Sequence, residues 1–436
     1  MLTPSTPAAS WKPSWTLQCV DCGTNYAGME LRYRCACGGT LDVAHDLSVD
    51  VPGFAQIDDR RKSRNPLDKS GVWRFREWVL PLHESAFVTK PEGNTNSYCS
   101  ERLSEYTGVP WLVLKHEGEN PTGSFKDRGM VAGVSVARAL GMKAVACAST
   151  GNTSASMASY AAQAGMKAFV FIPNTGVALG KLAQATAYGA ITLKIAGDFD
   201  SAMKLVQQVC AEEGIYLLNS INPFRIEGQK AIGFELLEDL AWQVPDWVVL
   251  PGGNLGNSSA LFKGLSELHA RGMIDRLPRI AVVQARGANP LVRAFEEGRD
   301  VTPVQANTIA TAIKIGDPVS WKKCVRGLQA THGVVLDVSD DDIMDAKAVV
   351  DAAGIGAEPA SCATVAGIRE LVRRGIIGTG ERVCGILTGH VLKDPDAVTG
   401  YHAGLLPGID SMRSNPPLAC DGTLPDVLRI LRSRST

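Results

Sequence analysis

Short runs of β-branched and apolar residues alternate with helical patterns along most of the chain from Trp73 onward. The run at 144–148 is followed by a helical pattern over 153–164 that stops at Gly165, and this order recurs. Strands and glycine-terminated helices in alternation favour parallel sheets built from right-handed βαβ units. Further strands are predicted at 111–114, 168–172, 191–195, 215–218, 246–250, 280–284, 334–338 and 383–387, and further helices at 129–140 and 202–213, with another ending near Gly189.

The distribution of residue types divides the chain into segments. With 436 residues, 45% of them apolar, it can bury a large core and form two or three domains. Residues 1–14 are predicted to be disordered, and 15–50 to form a small β unit that contains four cysteines and a strand at 40–43. A connector rich in proline, glycine and charge leads to an α/β core over 70–415, and 416–436 form a tail.

Charge and cysteine usage exclude several classes of function. The 44 lysines and arginines nearly balance 45 acidic residues, so no basic face for nucleic acid is expected. No stretch has the apolar length of a membrane span. Most of the eleven cysteines, such as Cys147 and Cys324, lie singly within apolar elements, which is typical of a reducing compartment. A cytoplasmic location is therefore predicted, and an organelle-targeting function of the first dozen residues is the alternative.

Four cysteines near the N-terminus form a separate group. Cys19-x-x-Cys22 and Cys35-x-Cys37 resemble a zinc ribbon, in which two knuckles bring four thiolates to one metal. The second pair is one residue shorter than the usual spacing, and the alternative is a small β unit with reduced cysteines. The sequence leaves both readings open, and no metal ligand is assigned.

The segment 120–129, Asn-Pro-Thr-Gly-Ser-Phe-Lys-Asp-Arg-Gly, places one lysine between a glycine-bearing turn and a helical pattern. Burial and nearby positive charge lower the pKa of such an amine, which favours imine formation with an aldehyde. The alternative for Lys126 is a solvated lysine at the entry to a helix. The ten-residue string resembles the cofactor-lysine signature of fold-type II pyridoxal-phosphate enzymes.

Two further segments lie between a predicted strand and a helix, where ligands of parallel α/β sheets bind. Residues 149–153, Ser-Thr-Gly-Asn-Thr, offer hydroxyls and backbone N–H groups to a carboxylate, or they cap a helix. Residues 251–257 contain two adjacent glycines and could wrap a phosphate with backbone N–H groups. The alternative for this second segment is a tight structural turn.

Two more polar segments carry candidate binding groups. The polar loop predicted at 219–230 contains Arg225, which could bind an anionic substrate group or pair with Glu227 or Glu235 at the surface. After the last strand, the hydroxyl of Thr388 could hydrogen-bond a ring nitrogen, or it could cap a helix.

Taken together, these segments resemble the threonine synthase family and occur in the order found there. The similarity extends over about residues 17–417, which is nearly the whole chain. The segments 91–95, 308–320 and 385–395 also match the family, and 70–73 and 242–247 resemble its longer, plant-like branch.

The resemblance implies pyridoxal 5'-phosphate as the cofactor and Lys126 as the catalytic residue that binds it covalently. It implies a smaller subdomain at roughly 130–222, inserted in a larger one, and a homodimer. The implied cofactor-binding residues are Lys126, Asn152, Gly252, Gly253, Asn254, Leu255, Gly256, Asn257 and Thr388. The implied substrate-binding residues are Ser149, Thr150 and Asn152 for a carboxylate, and Thr153, Ser220, Arg225 and Asn254 for a phosphate.

The activity implied by the resemblance converts O-phospho-L-homoserine and water to L-threonine and phosphate. A close alternative is a cysteate synthase, which acts on O-phosphoserine with sulfite. Elimination of the threonine dehydratase type is less favoured, because Ser220 and Arg225 suggest a substrate that carries phosphate. A catalytically silent regulator on the same scaffold is the alternative from another class, and the presence of Lys126 argues against it.

Overall fold

Three separate β-sheets organise the chain in the computed structural model, which describes residues 13–174, 179–197 and 199–434. Residues 1–12, the greater part of the segment predicted to be disordered, lie outside the described residues. The strands are β1 Trp15–Cys19, β2 Asn25–Ala27, β3 Leu41–His45, β4 Ser97–Tyr98, β5 Trp111–His116, β6 Ala144–Ala148, β7 Lys167–Pro173, β8 Ile191–Ile195, β9 Tyr216–Leu217, β10 Trp247–Pro251, β11 Arg279–Ala285, β12 Val334–Val338 and β13 Arg382–Leu387.

α-Helices lie in most of the intervals between successive strands and after the last strand. Within the described residues, none of them is long and apolar enough to cross a membrane. They are α1 Phe54–Arg61, α2 Arg76–Val79, α3 Glu101–Thr107, α4 Lys126–Ala139, α5 Asn152–Ala164, α6 Leu179–Ala187, α7 Phe199–Glu213, α8 Phe224–Asp239, α9 Gly256–Ala270, α10 Pro290–Glu296, α11 Trp321–Ala330, α12 Asp340–Ala352, α13 Pro359–Arg373, α14 Pro395–His402 and α15 Leu424–Arg434.

The two larger sheets are mainly parallel, as the alternating pattern predicts. The six-stranded sheet has the order β12-β11-β10-β13-β5-β4, and only its edge strand β4 runs antiparallel to its neighbour. The four-stranded sheet has the order β8-β7-β6-β9 and is parallel throughout. The N-terminal sheet, in the order β2-β1-β3, is antiparallel and belongs to the small cysteine-containing unit.

Apolar cores cover both faces of the six-stranded sheet. In β10, Val248 and Leu250 contribute to a core that also contains Met130 of α4, whereas Val249 contributes to a second core with Leu112 of β5. Strands buried on both faces read as continuous apolar runs, which explains why the sequence pattern located them well.

One predicted loop is wrong. The segment 219–230 was expected to be a polar loop, but α8 begins within it at Phe224. The side-chain oxygen of Asn222 accepts from the Phe224 N–H at 3.0 Å and helps to start the helix. Every residue from Phe224 to Glu238 is buried, so the helix has no solvent-facing side and lacks the periodicity of a surface helix.

Helices α4 and α8 cross at a glycine contact. A Cβ atom added at Gly228 would overlap the carbonyl oxygen of Arg128 in α4. In the opposite direction, a Cβ at Gly129 would lie 2.9 Å from the carbonyl oxygen of Arg225. The two backbones approach this closely only because neither position carries a side chain. The contact brings the first turns of both helices together, and with them Lys126 and Arg225.

Gly228→Ala should therefore destabilise the protein by about 2 to 3 kcal/mol, because overpacking forces rigid backbones apart. Denaturant unfolding measures this change. Gly380→Ala is the matched control, since a Cβ at Gly380 meets open space. If the free energy of unfolding of Gly228→Ala stayed within about 0.5 kcal/mol of the control, the glycine contact would not be a packing constraint.

Candidate active site

Lys126 is the first residue of α4 and follows the turn that the motif forms. Asp127 fixes this turn, since its carboxylate accepts from the Thr122 N–H at 2.7 Å and from the Thr122 hydroxyl at 2.5 Å. The Lys126 amine lies 4.2 Å from the centre of the Phe125 ring. Burial, and secondarily the positive charge of Arg225, lower the pKa of Lys126 to about 7, while Glu358 opposes the shift. The predicted activation of this amine thus has a physical basis.

The turn before Lys126 is joined to the segment that follows β13. The Phe125 N–H donates to the carbonyl oxygen of Thr388 at 3.0 Å, and the His390 N–H donates to that of Gly123 at 2.9 Å. The Thr388 hydroxyl is buried and lies 3.2 Å from the hydroxyl of Ser361. Thr388 precedes neither α14 nor any other helix directly, so the helix-capping alternative is wrong. These contacts place a pair of hydroxyls beside the lysine turn.

Asn152 begins α5 and contacts a carboxylate that the sequence reasoning missed. Its side-chain amide lies 3.2 and 3.3 Å from the two oxygens of Glu358. The backbone N–H of Glu358 donates to Gly389 at 3.0 Å, which anchors the residue to the Thr388 segment. Burial raises the pKa of the Glu358 carboxyl. The one signal in the sequence is an acidic residue directly before Pro359, within a run of small residues.

Residues 149–153 and Ser220 lie at the ends of neighbouring strands. Asn219 joins the two segments, because its side-chain amide exchanges two hydrogen bonds of 3.0 Å with the backbone of Ala148. Strands β6 and β9 are paired, so Ser149, which follows Ala148 directly, is brought towards Ser220. Helix α5 begins here with Gly151 at its N-cap position. The exposed N–H groups of a helix start favour an anion. The four predicted hydroxyl residues at this edge are half-buried: Ser149, Thr150, Thr153 and Ser220.

Arg225 lies in the first turn of α8 and is only 2% exposed. Its Nη1 donates to the carbonyl oxygen of Leu218 at 3.2 Å, and its Nε has no hydrogen-bond partner among the described residues. Burial lowers the pKa of Arg225 to about 10. The surface-pair alternative is wrong: Glu227 pairs with His45 and Lys230, and Glu235 with Arg128 and Lys115. A buried guanidinium without a carboxylate is costly unless an anion binds to it.

The glycine loop follows β10 and leads into α9. A Cβ at Gly252 would crowd Val282, and one at Gly253 would lie 3.2 Å from the Ile313 backbone. Leu255 adopts a left-handed conformation with φ of 61° at the start of α9. Two hydrogen bonds hold Asn254 in place. Its side-chain oxygen accepts from the Val319 N–H at 3.3 Å, and its backbone carbonyl accepts from the Ser320 N–H at 3.2 Å. The loop is thus tightly confined.

Most of the predicted site residues lie at the carboxyl ends of strands in the two larger sheets. Lys126 and Thr388 are joined through their turns, Asn152 reaches the same segment through Glu358, and Arg225 is electrostatically coupled to Lys126. The glycine loop follows β10, which pairs with β13, the strand that ends at Leu387. The carboxyl ends of these strands therefore open towards the same region, as expected for ligand sites of α/β sheets.

Comparisons with known proteins agree with this arrangement. Residues 88–389 match the family described as pyridoxal-phosphate dependent enzymes. The threonine synthase of Methanocaldococcus jannaschii is 46% identical over 385 residues, which are 87% of this chain and 93% of that protein. Threonine synthase 2, chloroplastic, of Arabidopsis thaliana is 38% identical over 424 residues, which cover 94% and 82% of the two chains. The chain belongs to the threonine synthase family.

Solved structures show the same fold at low sequence identity. The threonine synthase of Escherichia coli superposes with a TM-score of 0.65 and 18% identity, covering 96% of this chain and 99% of its own. Maize serine racemase superposes with a TM-score of 0.60 and 20% identity, covering 78% and 94%. The prediction of a fold-type II α/β enzyme that depends on pyridoxal phosphate is confirmed for this threonine synthase family member.

The residues present fit pyridoxal phosphate. The Asn257 side-chain amide, in the predicted phosphate loop, and the Ser124 hydroxyl, in the lysine turn, are buried without hydrogen-bond partners among the described residues. Unpartnered buried donors are rare and indicate that a ligand completes them. Lys126 would supply the amine that joins the cofactor's aldehyde, and Thr388 with Ser361 would supply neutral hydroxyls instead of a carboxylate. All three features match an anionic, aldehyde-bearing ring.

The rate at which the apoenzyme binds pyridoxal phosphate should rise with pH with a midpoint at about 7 and level off above that pH. Below that pH the Lys126 amine is protonated and cannot attack the aldehyde, whereas an ordinary lysine would gain reactivity up to about pH 10. Stopped-flow absorbance measures the rate, and pyridoxal, which lacks the phosphate, controls for titration of the phosphate group. Arg225→Leu should move the midpoint to higher pH, because it removes a like charge. A rate that keeps rising to pH 10 would contradict the lowered pKa.

Proposed function

We propose that the protein converts O-phospho-L-homoserine and water to L-threonine and inorganic phosphate. The observation that carries this proposal is Arg225, a buried guanidinium beside Lys126 that has no carboxylate partner among the described residues. The phosphate group of a phosphorylated substrate would supply the anionic partner that Arg225 lacks. The printed names of the relatives support the same activity.

Two separate groups of residues would bind the α-carboxylate and the phosphate of the substrate. The start of α5 with Ser149, Thr150 and Asn152 would hold the α-carboxylate, because a helix N-terminus and hydroxyls suit that anion. Arg225 would hold the phosphate bidentately, with Thr153, Ser220 and Asn254 as further contacts. The distance between the two anion sites would then select the length of the carbon chain.

Lys126 would move the protons of the reaction. When bound, pyridoxal phosphate supplies an electron sink that stabilises negative charge at the substrate's α-carbon. The Lys126 amine would remove the α-proton as a general base. Loss of a β-proton would then allow phosphate to leave from the γ-carbon, which would afterwards gain a proton and become the methyl group. The hydroxyl of water would add at the β-carbon, its proton would pass to the phosphate, and the α-carbon would regain its proton. Arg225 would stabilise the charge on the departing phosphate.

We also propose a cytoplasmic homodimer with a small-molecule substrate and a smaller subdomain at roughly 130–222. None of the eleven cysteines, all of which lie in the described residues, forms a disulfide, which supports a reducing compartment. The separate sheet β8-β7-β6-β9 supports the subdomain. The family resemblance supports the homodimer, which light scattering of the purified protein tests.

The purified enzyme loaded with cofactor should release phosphate from O-phospho-L-homoserine and form L-threonine. Phosphate is measured colorimetrically, and the amino acid is identified by mass spectrometry. O-phosphoserine with sulfite is the comparison substrate, and Lys126→Ala is the control for background release. Formation of cysteate, or no phosphate from either substrate, would overturn the proposal.

Arg225→Leu should lower kcat/KM for O-phospho-L-homoserine at least ~10-fold, because a charge-assisted bidentate contact contributes about 1.5–3 kcal/mol. Arg225→Lys should restore only part of the loss, since lysine keeps the charge without the fork. Stability should not fall, because leucine replaces a buried charge that lacks a partner. Arg373→Leu, which removes an exposed ion pair with Glu370, is the matched control. Wild-type kinetics in Arg225→Leu would refute the phosphate contact.

A further inference from the structure

Four thiols of the N-terminal unit converge on one point. The Sγ atoms of Cys19, Cys22, Cys35 and Cys37 all lie within 4.8 Å of one another. Cys19 and Cys37 are 3.5 Å apart at sulfur, as are Cys22 and Cys35. In a tetrahedral zinc site with Zn–S bonds of about 2.3 Å, sulfur atoms are separated by about 3.8 Å. The four sulfurs therefore have the spacing of such a site.

The first pair lies on a tight turn at the end of β1. The Cys22 N–H donates towards the Cys19 sulfur at 3.5 Å, and the Gly23 N–H donates to the Cys19 carbonyl at 3.1 Å. Gly23 has a φ of 74°, a conformation that favours glycine. A backbone N–H that points to sulfur favours the thiolate, which is the form that binds metal.

The second pair reaches the same point despite its shorter spacing. The Gly38 N–H donates to Cys35 at 2.9 Å, and the Cys35 N–H donates to Gly39 at 2.9 Å, closing a compact turn. Gly38 has a φ of 86°, and a Cβ at Gly39 would lie 2.8 Å from the Cys19 sulfur. Two glycines thus allow the turn to present its sulfurs without the additional residue of a standard knuckle.

We propose that Cys19, Cys22, Cys35 and Cys37 bind one zinc ion as a structural site. Four soft thiolates in a tetrahedral arrangement select zinc over harder cations. Four protein ligands fill the coordination shell, so the site leaves no open position for catalysis. Cys22 and Cys37 are exposed and give the metal a path of entry.

The site would fix the segment that connects the unit to the four-stranded sheet. Tyr33 lies between the two cysteine pairs, and its hydroxyl accepts from the Leu217 N–H in β9 at 2.8 Å. Its ring packs edge-on against Tyr216 with 5.8 Å between centroids. The same strand leads directly to Asn219 and Ser220 at the candidate active site. Zinc would therefore support one wall of the active site from outside.

The test measures metal in full-length protein purified without chelators from zinc-supplemented culture. We expect one zinc per chain by elemental analysis in the wild type and in the control variants Cys99→Ser and Cys420→Ser, whose cysteines are exposed elsewhere. Cys22→Ser and Cys37→Ser should lose the zinc and melt at lower temperature. Cobalt substitution should produce the visible absorption of a tetrahedral thiolate complex.

Titration of the wild type with a mercurial reagent keeps the test independent of whether the variants fold. It should release one zinc per chain as the four cluster thiols react, in addition to the exposed thiols of Cys99 and Cys420, which react without releasing metal. The proposal is overturned if the wild type holds no more zinc than Cys22→Ser, if it holds iron instead, or if mass spectrometry finds Cys19–Cys37 and Cys22–Cys35 disulfides.

Discussion

The geometry of the candidate active site depends on a buried ion network around Arg128, which lies two residues after Lys126. Its guanidinium contacts Glu117 at 2.6 Å and Glu235 at 2.8 Å, and Lys115 contacts Glu235 at 2.7 Å, with all four side chains fully buried. Although burial opposes the shift, Arg128 and Lys115 hold the pKa of Glu235 well below its usual range. Removal of one partner from such a network costs about 3–5 kcal/mol. The network therefore fixes α4 against β5 and α8, and it fixes Lys126 with them.

Two buried arginines on the neighbouring helices α4 and α8 have opposite roles. Arg128 is fully paired with carboxylates, whereas Arg225 donates to one carbonyl and has no described carboxylate partner. The glycine contact at Gly228 ties the two helices together, so the stable network around Arg128 also holds Arg225 in place. A fold can retain a destabilising buried charge when nearby interactions overdetermine its position. That combination is typical of a binding site prepared for an anion.

The sequence predicted the parallel sheets and the position of Lys126 at the start of a helix, because both depend on local patterns. Strands such as β6 lie at the predicted residues, since strands buried on both faces are continuous apolar runs. Helix α8 was missed because burial on all sides removes its periodicity, and Glu358 was missed because only the tertiary fold brings it to Asn152. The placement of β13 between β10 and β5 also depends on long-range pairing that no local pattern encodes.

If Arg225 binds the substrate phosphate, the charges around Lys126 would couple substrate binding to proton transfer. In the free protein, burial and the positive charge of Arg225 lower the pKa of the amine to about 7, against the opposing field of Glu358. A phosphate dianion bound to Arg225 would cancel that positive charge, and the pKa of Lys126 would rise. Thermodynamic linkage requires the reverse as well, so a protonated Lys126 would bind the anionic substrate more tightly. The amine would thus be a good nucleophile before the substrate arrives and a stronger base once the phosphate is bound.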